Sequence, residues 1–243
     1  MPRRPIRFGI LTPSSNTALE PLTCAMLADV RGVSVHFSRF KVTRISLEKD
    51  ALGQFDIEPI LQAAQLLADA KVDVIGWSGT AAGWMGFQQD NDLCARIEKA
   101  TGIPATSSVL ALNERLSIDG IERLGLVSPY VSDVQKKIID NYRSIGVTCI
   151  AEDHLSISDN FSFAEVSEST LDSQVGNVAK AAPQAIATYC TNLHAAQLVS
   201  RWEREHGIPI FDTTATVIWK MLRMVEVDPQ SLRGWGQLFT QSR

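Results

Sequence analysis

Cysteine is scarce in this chain and widely scattered. Four thiols, Cys24, Cys94, Cys149 and Cys190, are spread over 243 residues with no CxxC pair. That spacing offers neither a zinc site nor a disulfide framework, and it suits a reducing, cytoplasmic setting. Histidine is equally sparse, and His36, His154, His194 and His206 show no metal-ligand spacing. A surplus of positive charge is missing too. The net charge is −4 and the pI about 5.6, so the basic footprint of a nucleic-acid binder is excluded. No apolar run approaches the roughly 18 residues that a membrane span requires. The basic start "MPRRPIRFGIL" is stopped by "TPSSN" before it can read as a signal peptide. A glycine-rich phosphate loop of the dinucleotide type is also lacking. The expectation is a globular, cytoplasmic protein with no nucleic-acid or membrane partner, no metal and no organic cofactor. A homo-oligomer is left open.

What the chain has is alternation. "IRFGIL", "VSVHFSRF" and "KVDVIGW" read as strands, while "NTALEPLTCAMLADV", "DIEPILQAAQLLADA", "NDLCARIEKATG" and "VLALNERLSIDG" read as helices. Strands alternating with helices of this length predict parallel sheets flanked by helices, an α/β fold.

The pattern then repeats. "RFGILTPS" (7–14) returns as "RLGLVSPY" (123–130), and "TGIPATSS" (101–108) as "HGIPIFDT" (206–213). Between these anchors, "VDVIGWSGTA" returns as "QAIATYCTNL". This predicts two pseudo-symmetric halves, residues 1–118 and 119–243, with the C-terminal tail returning to the first half. Ligands of open parallel sheets bind beyond the carboxyl ends of the strands. Four strand-end loops, "TPSSNT", "SGTAAG", "SPYVSD" and "YCTNL", are therefore expected around one cleft between the halves.

Cys190 and Thr191 in the second half correspond to Gly79 and Thr80 in the first. A thiol on each side of such a cleft could take a proton from one face of a carbon and return it to the other. With one thiol, Cys190 serves one face only, and the start of a following helix would favour its thiolate. Thr80 and Tyr130 are hydroxyl donors on opposing loops, suited to an oxyanion. Backbone N–H groups after Gly79 and Cys190 could add to them. Ser14, Ser15 and Asn16 offer donors without positive charge, as a carboxylate that must leave or rotate would need. Cys24, Cys94 and Cys149 fall within elements and read as packing. The tryptophans read as core, with Trp84 close enough to "GTAAG" to line the pocket.

The motifs "GILTPSSNT", "GTA", "SPYVSDV", "CTNL", "GIPIFDTTAT" and "GWGQLF" together resemble the aspartate/glutamate racemase superfamily. Within it they are similar to the branch of maleate cis-trans isomerases and arylmalonate decarboxylases, over nearly the whole chain. The resemblance implies cofactor-free chemistry at the α-carbon of a small mono- or dicarboxylate. Maleate isomerases would carry Asn16, Tyr130, Asn160 and Cys190, together with a second cysteine where this chain has Gly79. Arylmalonate decarboxylases carry Gly-Thr-Ser there and only the second cysteine; Gly79 and Thr80 match, and Ala81 replaces the serine. The catalytic set this implies is Cys190, Thr80 and Tyr130. The binding set is Ser14, Ser15, Asn16, Gly79, Ala81, Asn160, Thr191 and Asn192. The first reading is a cysteine-dependent decarboxylase of a small substituted malonate, with Cys190 protonating an enediolate. The alternatives are an isomerase or racemase of a small dicarboxylate, with Ser78 or water replacing the missing thiol, and a non-catalytic carboxylate-binding protein.

Overall fold

Two four-stranded sheets, all of whose pairs run parallel, form the frame of the computed structural model, which describes residues 4–240. The first contains β1 (Ile6–Pro13), β2 (Val33–Phe40), β3 (Val74–Trp77) and β4 (Ala105–Ser107), in the order β2-β1-β3-β4. The second contains β5 (Arg123–Ser128), β6 (Thr148–His154), β7 (Ala185–Thr188) and β8 (Ile210–Asp212), in the order β6-β5-β7-β8. The inner strands β3 and β7 are buried at every residue, as continuous apolar runs covered on both faces should be.

Among the described residues ten α-helices connect and cover the strands: α1 (Leu19–Leu27), α2 (Lys49–Leu52), α3 (Ile57–Asp69), α4 (Ala82–Met85), α5 (Phe87–Thr101), α6 (Ser108–Ile118), α7 (Ser132–Ser144), α8 (Glu168–Ala179), α9 (Val199–His206) and α10 (Thr213–Met224). In α3 the buried residues Ile60, Ala63, Ala64 and Leu67 recur at helical spacing, so the periodicity of "DIEPILQAAQLLADA" is the stripe that meets the sheet. Among the described residues no helix is long and apolar enough to cross a membrane.

The two halves repeat each other down to single hydrogen bonds. Gly102 and Gly207 both end a helix in the left-handed region, at φ 72° and 67°, where a Cβ would be strained. The glutamate preceding each in its helix reaches the next strand: Glu98 Oε1 accepts from Ala105 N at 2.9 Å and Glu203 Oε1 from Ile210 N at 3.0 Å. Ser78 N donates to Leu11 O at 3.1 Å, and Tyr189 N donates to Val127 O at 2.7 Å. Since "RFGIL" and "RLGLV" align Leu11 with Val127, Ser78 is the counterpart of Tyr189. Gly79, and not Ser78, therefore stands where the second half has Cys190.

The symmetry breaks at the C-terminus, where α10 packs along α6 and crosses onto β3 of the first sheet. Gly76 lets it approach: a Cβ there would come within 2.5 Å of Met221 Sδ and 2.8 Å of Val217 Cγ2. Gly76→Val should therefore destabilise the protein by about 1–3 kcal/mol, the usual cost of overpacking a filled core. A urea titration would show it as a lower midpoint, and an unchanged midpoint would mean that α10 does not lock the first sheet.

Two expected elements differ. The helix foreseen over 16–30 starts only at Leu19, because Asn16 Oδ1 accepts from Ala18 N at 3.1 Å and Leu19 N at 2.9 Å and so holds the entry turn. No helix follows Cys190 directly. Residues 191–195 form turns, and α9 begins at Val199.

Candidate active site

The four strand-end loops meet. Pro13, Gly79, Thr80, Ala81, Tyr130, Cys190 and Thr191 line one small cavity of about 20 Å³ between the sheets. Asn160, from the loop after β6, completes the polar wall, and Trp84 and Trp77 are part of the apolar wall. The volume is room for about one water molecule.

At its centre, Thr80 Oγ1 and Tyr130 Oη are 2.6 Å apart. The Tyr130 hydroxyl also bonds the Cys190 thiol, and Asn192 N donates to Cys190 Sγ at 3.4 Å. Both Cys190 and Tyr130 are only 2% exposed. The Tyr130 ring is held edge-on by Trp84 and Phe163, with centroids 5.3 and 5.5 Å away. Burial pushes the Cys190 thiol up to about 12, with Asp212 adding to the rise and the Tyr130 and Asn192 donors opposing it. A helix start that would favour the thiolate is absent, in keeping with this direction. At neutral pH Cys190 is an S–H, a proton donor whose conjugate base would be met by two hydrogen bonds. Tyr130 is likewise held well above its ordinary value, mainly by burial.

The remaining residues of the expected set lie behind this wall and bond one another. The Asn16 amide donates to Thr191 O at 3.1 Å while its oxygen caps α1. Asn192 Oδ1 accepts from Thr17 N at 2.9 Å, and its amide donates to Asn160 O at 2.5 Å. Asn160 Nδ2 donates to Ser15 Oγ at 2.7 Å, and Ser15 Oγ to Val42 O at 2.7 Å. Ser14 Oγ accepts from Val42 N at 3.2 Å. These side chains stitch the first half to the second. Arg39, at the end of β2, steadies the same loop by donating to Ser14 O and Asn16 O at 2.9 and 3.0 Å. Cys94 is buried in α5 and Cys149 half-buried in β6, whereas Cys24 is exposed on α1, away from the packing expected of it. Neither His194, which is half-buried, nor the other three histidines lines the cavity. Among the described residues no three His, Cys, Asp or Glu side chains cluster as metal ligands.

The profile of the arylmalonate decarboxylase family matches residues 9–239. The chain belongs to that family. Its curated relatives carry two names. A maleate isomerase of Pseudomonas putida KT2440 is 25% identical over 92% of this chain and 93% of its own length. An arylmalonate decarboxylase of Bordetella bronchiseptica is 24% identical over 76% of this chain and 79% of its own length. The fold is that of a maleate isomerase from Pseudomonas putida S16 solved with maleate: TM-score 0.88, 24% identity, 98% of both chains covered.

Several residues of this family member were not visible as site residues in its sequence. Asp212 caps α10 by accepting from Thr214 N at 2.8 Å, accepts from Thr188 Oγ1 at 2.7 Å, and raises the thiol beside it. A signal existed: "GIPIFDT" puts an aspartate where "GIPATSS" has Ser107. Val42, Ile45 and Phe55 come from the strap joining β2 to α3, which has no periodic pattern. That strap meets the second half through Ile45 N to Ser158 O, at 2.8 Å, and Asn160 N to Thr43 O, at 3.0 Å.

Asp90 carries a displaced carboxyl. It is buried in α5, bonded to Ser107, and burial raises it from 3.8 to about 7. In the unfolded chain it ionises near 3.8, so between about pH 4 and 7 the native state binds the extra proton. Its contribution to stability is full below pH 4 and is lost as pH rises through 7. Asp90→Asn removes this dependence. In urea titrations the variant should gain on the wild type as pH goes from 4 to 7, and the gap should then level off. A pH-independent gap would mean that Asp90 ionises normally.

Proposed function

We propose that this protein is a cofactor-independent decarboxylase of a small substituted malonate. One observation carries the reading: a single thiol faces the cavity, it is held protonated, and the opposite position is glycine with the Trp77 ring behind it. A Cβ on Gly79 would lie 2.1 Å from Trp77 Cζ2. The pocket has one acid and no second thiol to act as base or nucleophile.

In the proposed reaction the bond between Cα and one carboxylate breaks and CO₂ leaves with that carboxylate's oxygens. The bonding pair passes into the remaining carboxylate as an enediolate. Tyr130, Thr80 and the backbone N–H groups of the strand-end loops support the growing oxygen charge. Cys190 Sγ–H delivers its proton to Cα from one face. The thiolate left behind is met by Tyr130 Oη–H and Asn192 N–H until water reprotonates it. Tyr130→Phe should lower kcat about a hundredfold, the lower end for loss of one oxyanion donor because Thr80 remains, with little change in KM. A normal kcat with a raised KM would reassign Tyr130 to substrate binding.

The names of the relatives support a second reading, an isomerase of a small dicarboxylate such as maleate. A panel of substituted malonates, maleate and amino acids, followed by mass spectrometry and chiral chromatography, separates the two. Release of CO₂ supports the decarboxylase, and a change of geometry without change of mass supports the isomerase. Saturable binding without turnover would reduce the protein to a carboxylate binder.

A further inference from the structure

Beside the reaction cavity lies a second and much larger one. It occupies about 420 Å³ against α3 and α5, and its apolar wall includes Ile57, Ile60 and Leu93. Phe55, Trp77 and Ala81 belong to the walls of both spaces, so a partition of side chains is all that divides them. Trp77 is the part of that partition nearest the chemistry, because its ring lies directly against Gly79. Phe55 is only half-buried, at the end of the strap, and its ring touches Trp84 edge-on with centroids 6.0 Å apart.

We propose that this chamber receives the substituent on the substrate's α-carbon, and that this substituent is an apolar ring or chain bearing a hydroxyl at its far end. The proposal rests on the decarboxylase reading for the identity of the acid. Space is the first argument. A cavity with room for one water molecule cannot hold a substituted dicarboxylate, and the large volume next to it lies across the wall under Gly79. Chemistry is the second. The chamber wall is apolar except at Asp90, Gln89, Asp92 and Arg96, and of these Asp90 is 1% exposed with Oδ2 lacking a hydrogen-bond partner among the described residues. A buried carboxyl oxygen without a donor is costly, and a hydroxyl on an otherwise apolar group would satisfy it. Asp90 keeps its proton to about pH 7, so no cation is called for. When a substituent enters, the half-buried Phe55 ring turns aside and the two spaces join.

The test is calorimetric binding of acetate, phenylacetate and 4-hydroxyphenylacetate to the full-length protein. The wild type should bind 4-hydroxyphenylacetate at least tenfold more tightly than phenylacetate, and Asp90→Leu should erase that difference. Ile57→Trp, which fills the chamber, should cut the preference for either aryl acid over acetate at least tenfold. If Ile57→Trp fails to fold, Arg96→Trp at the exposed rim serves the same purpose. Equal affinity for the two aryl acids, or an aryl preference that survives filling, overturns the proposal. Turnover of methylmalonate and phenylmalonate is read in parallel. Methylmalonate decarboxylation without the binding pattern would leave the reaction standing and remove the chamber. The binding pattern with no malonate turned over would keep the chamber as the site of the acid's side chain and remove the reaction.

Discussion

Cys190→Ala should lose about a thousandfold or more of the decarboxylation rate while keeping its fold. The size follows from removing the only positioned acid, a role worth roughly 10²–10⁴. Thr80, Tyr130 and the loop N–H groups would remain to stabilise the enediolate, so some CO₂ release should survive. What must disappear is its stereocontrol, because protonation would then come from water. Cys24→Ala, Cys94→Ala and Cys149→Ala should turn over near the wild-type rate, since none of these residues lines the cavity. Modification gives an independent check. A thiol raised to about 12 is a poor nucleophile at neutral pH, so alkylation by iodoacetamide should be slow at pH 7 and accelerate as pH rises. Initial rates on a substituted malonate, with thermal melts of each variant, decide the matter. A folded Cys190→Ala enzyme that turns over near the wild-type rate would remove the whole mechanism.

The sequence reached the fold through its repeats. "RFGIL" against "RLGLV" and "TGIP" against "HGIP" mark equivalent strands and helix ends, because the φ above zero at Gly102 and Gly207 and the strand-end registers recur in both halves. The convergence of four loops followed from the same logic. What could not be read is how side chains divide labour inside those loops. An asparagine near a pocket is equally able to face a ligand or to satisfy buried backbone, and Asn16 and Asn192 do the second. Trp77 belongs to the buried strand β3 and reads as core; its contact with Gly79 depends on the ring's path beneath the loop, which no local pattern encodes. Phe55 and Asp90 sit in stretches without periodic or motif signal, and their place beside the cavity is set by tertiary packing alone.

Gly79→Cys, which would restore a thiol to each half, should fail by itself. Its Cβ would fall 2.1–2.5 Å from three carbons of the Trp77 ring, and that ring is buried and tilted against Phe40 with centroids 5.0 Å apart. Backbone is held on one side and an aromatic pair on the other, so the substitution should cost about 1–3 kcal/mol. The displaced ring would also intrude on a cavity with no room to spare, and the rate should fall with the stability. Shrinking the obstacle changes the outcome. In Gly79→Cys combined with Trp77→Val, the new thiol has space and faces Cys190 across the cleft. One sulfur can then take the α-proton of the product while the other returns a proton to the opposite face. The parent, with Cys190 alone, should release one enantiomer from a malonate bearing two different substituents, and that enantiomer should persist. The double variant should drive it towards racemic product, incorporating deuterium from heavy water at the α-carbon as it does so. Enantiomeric excess followed over time is the measurement. A single Gly79→Cys variant as stable as the parent and already racemising would show that Trp77 does not guard the position. Racemic product from the parent would show that a group other than Cys190 already serves the second face, and the isomerase reading would take first place.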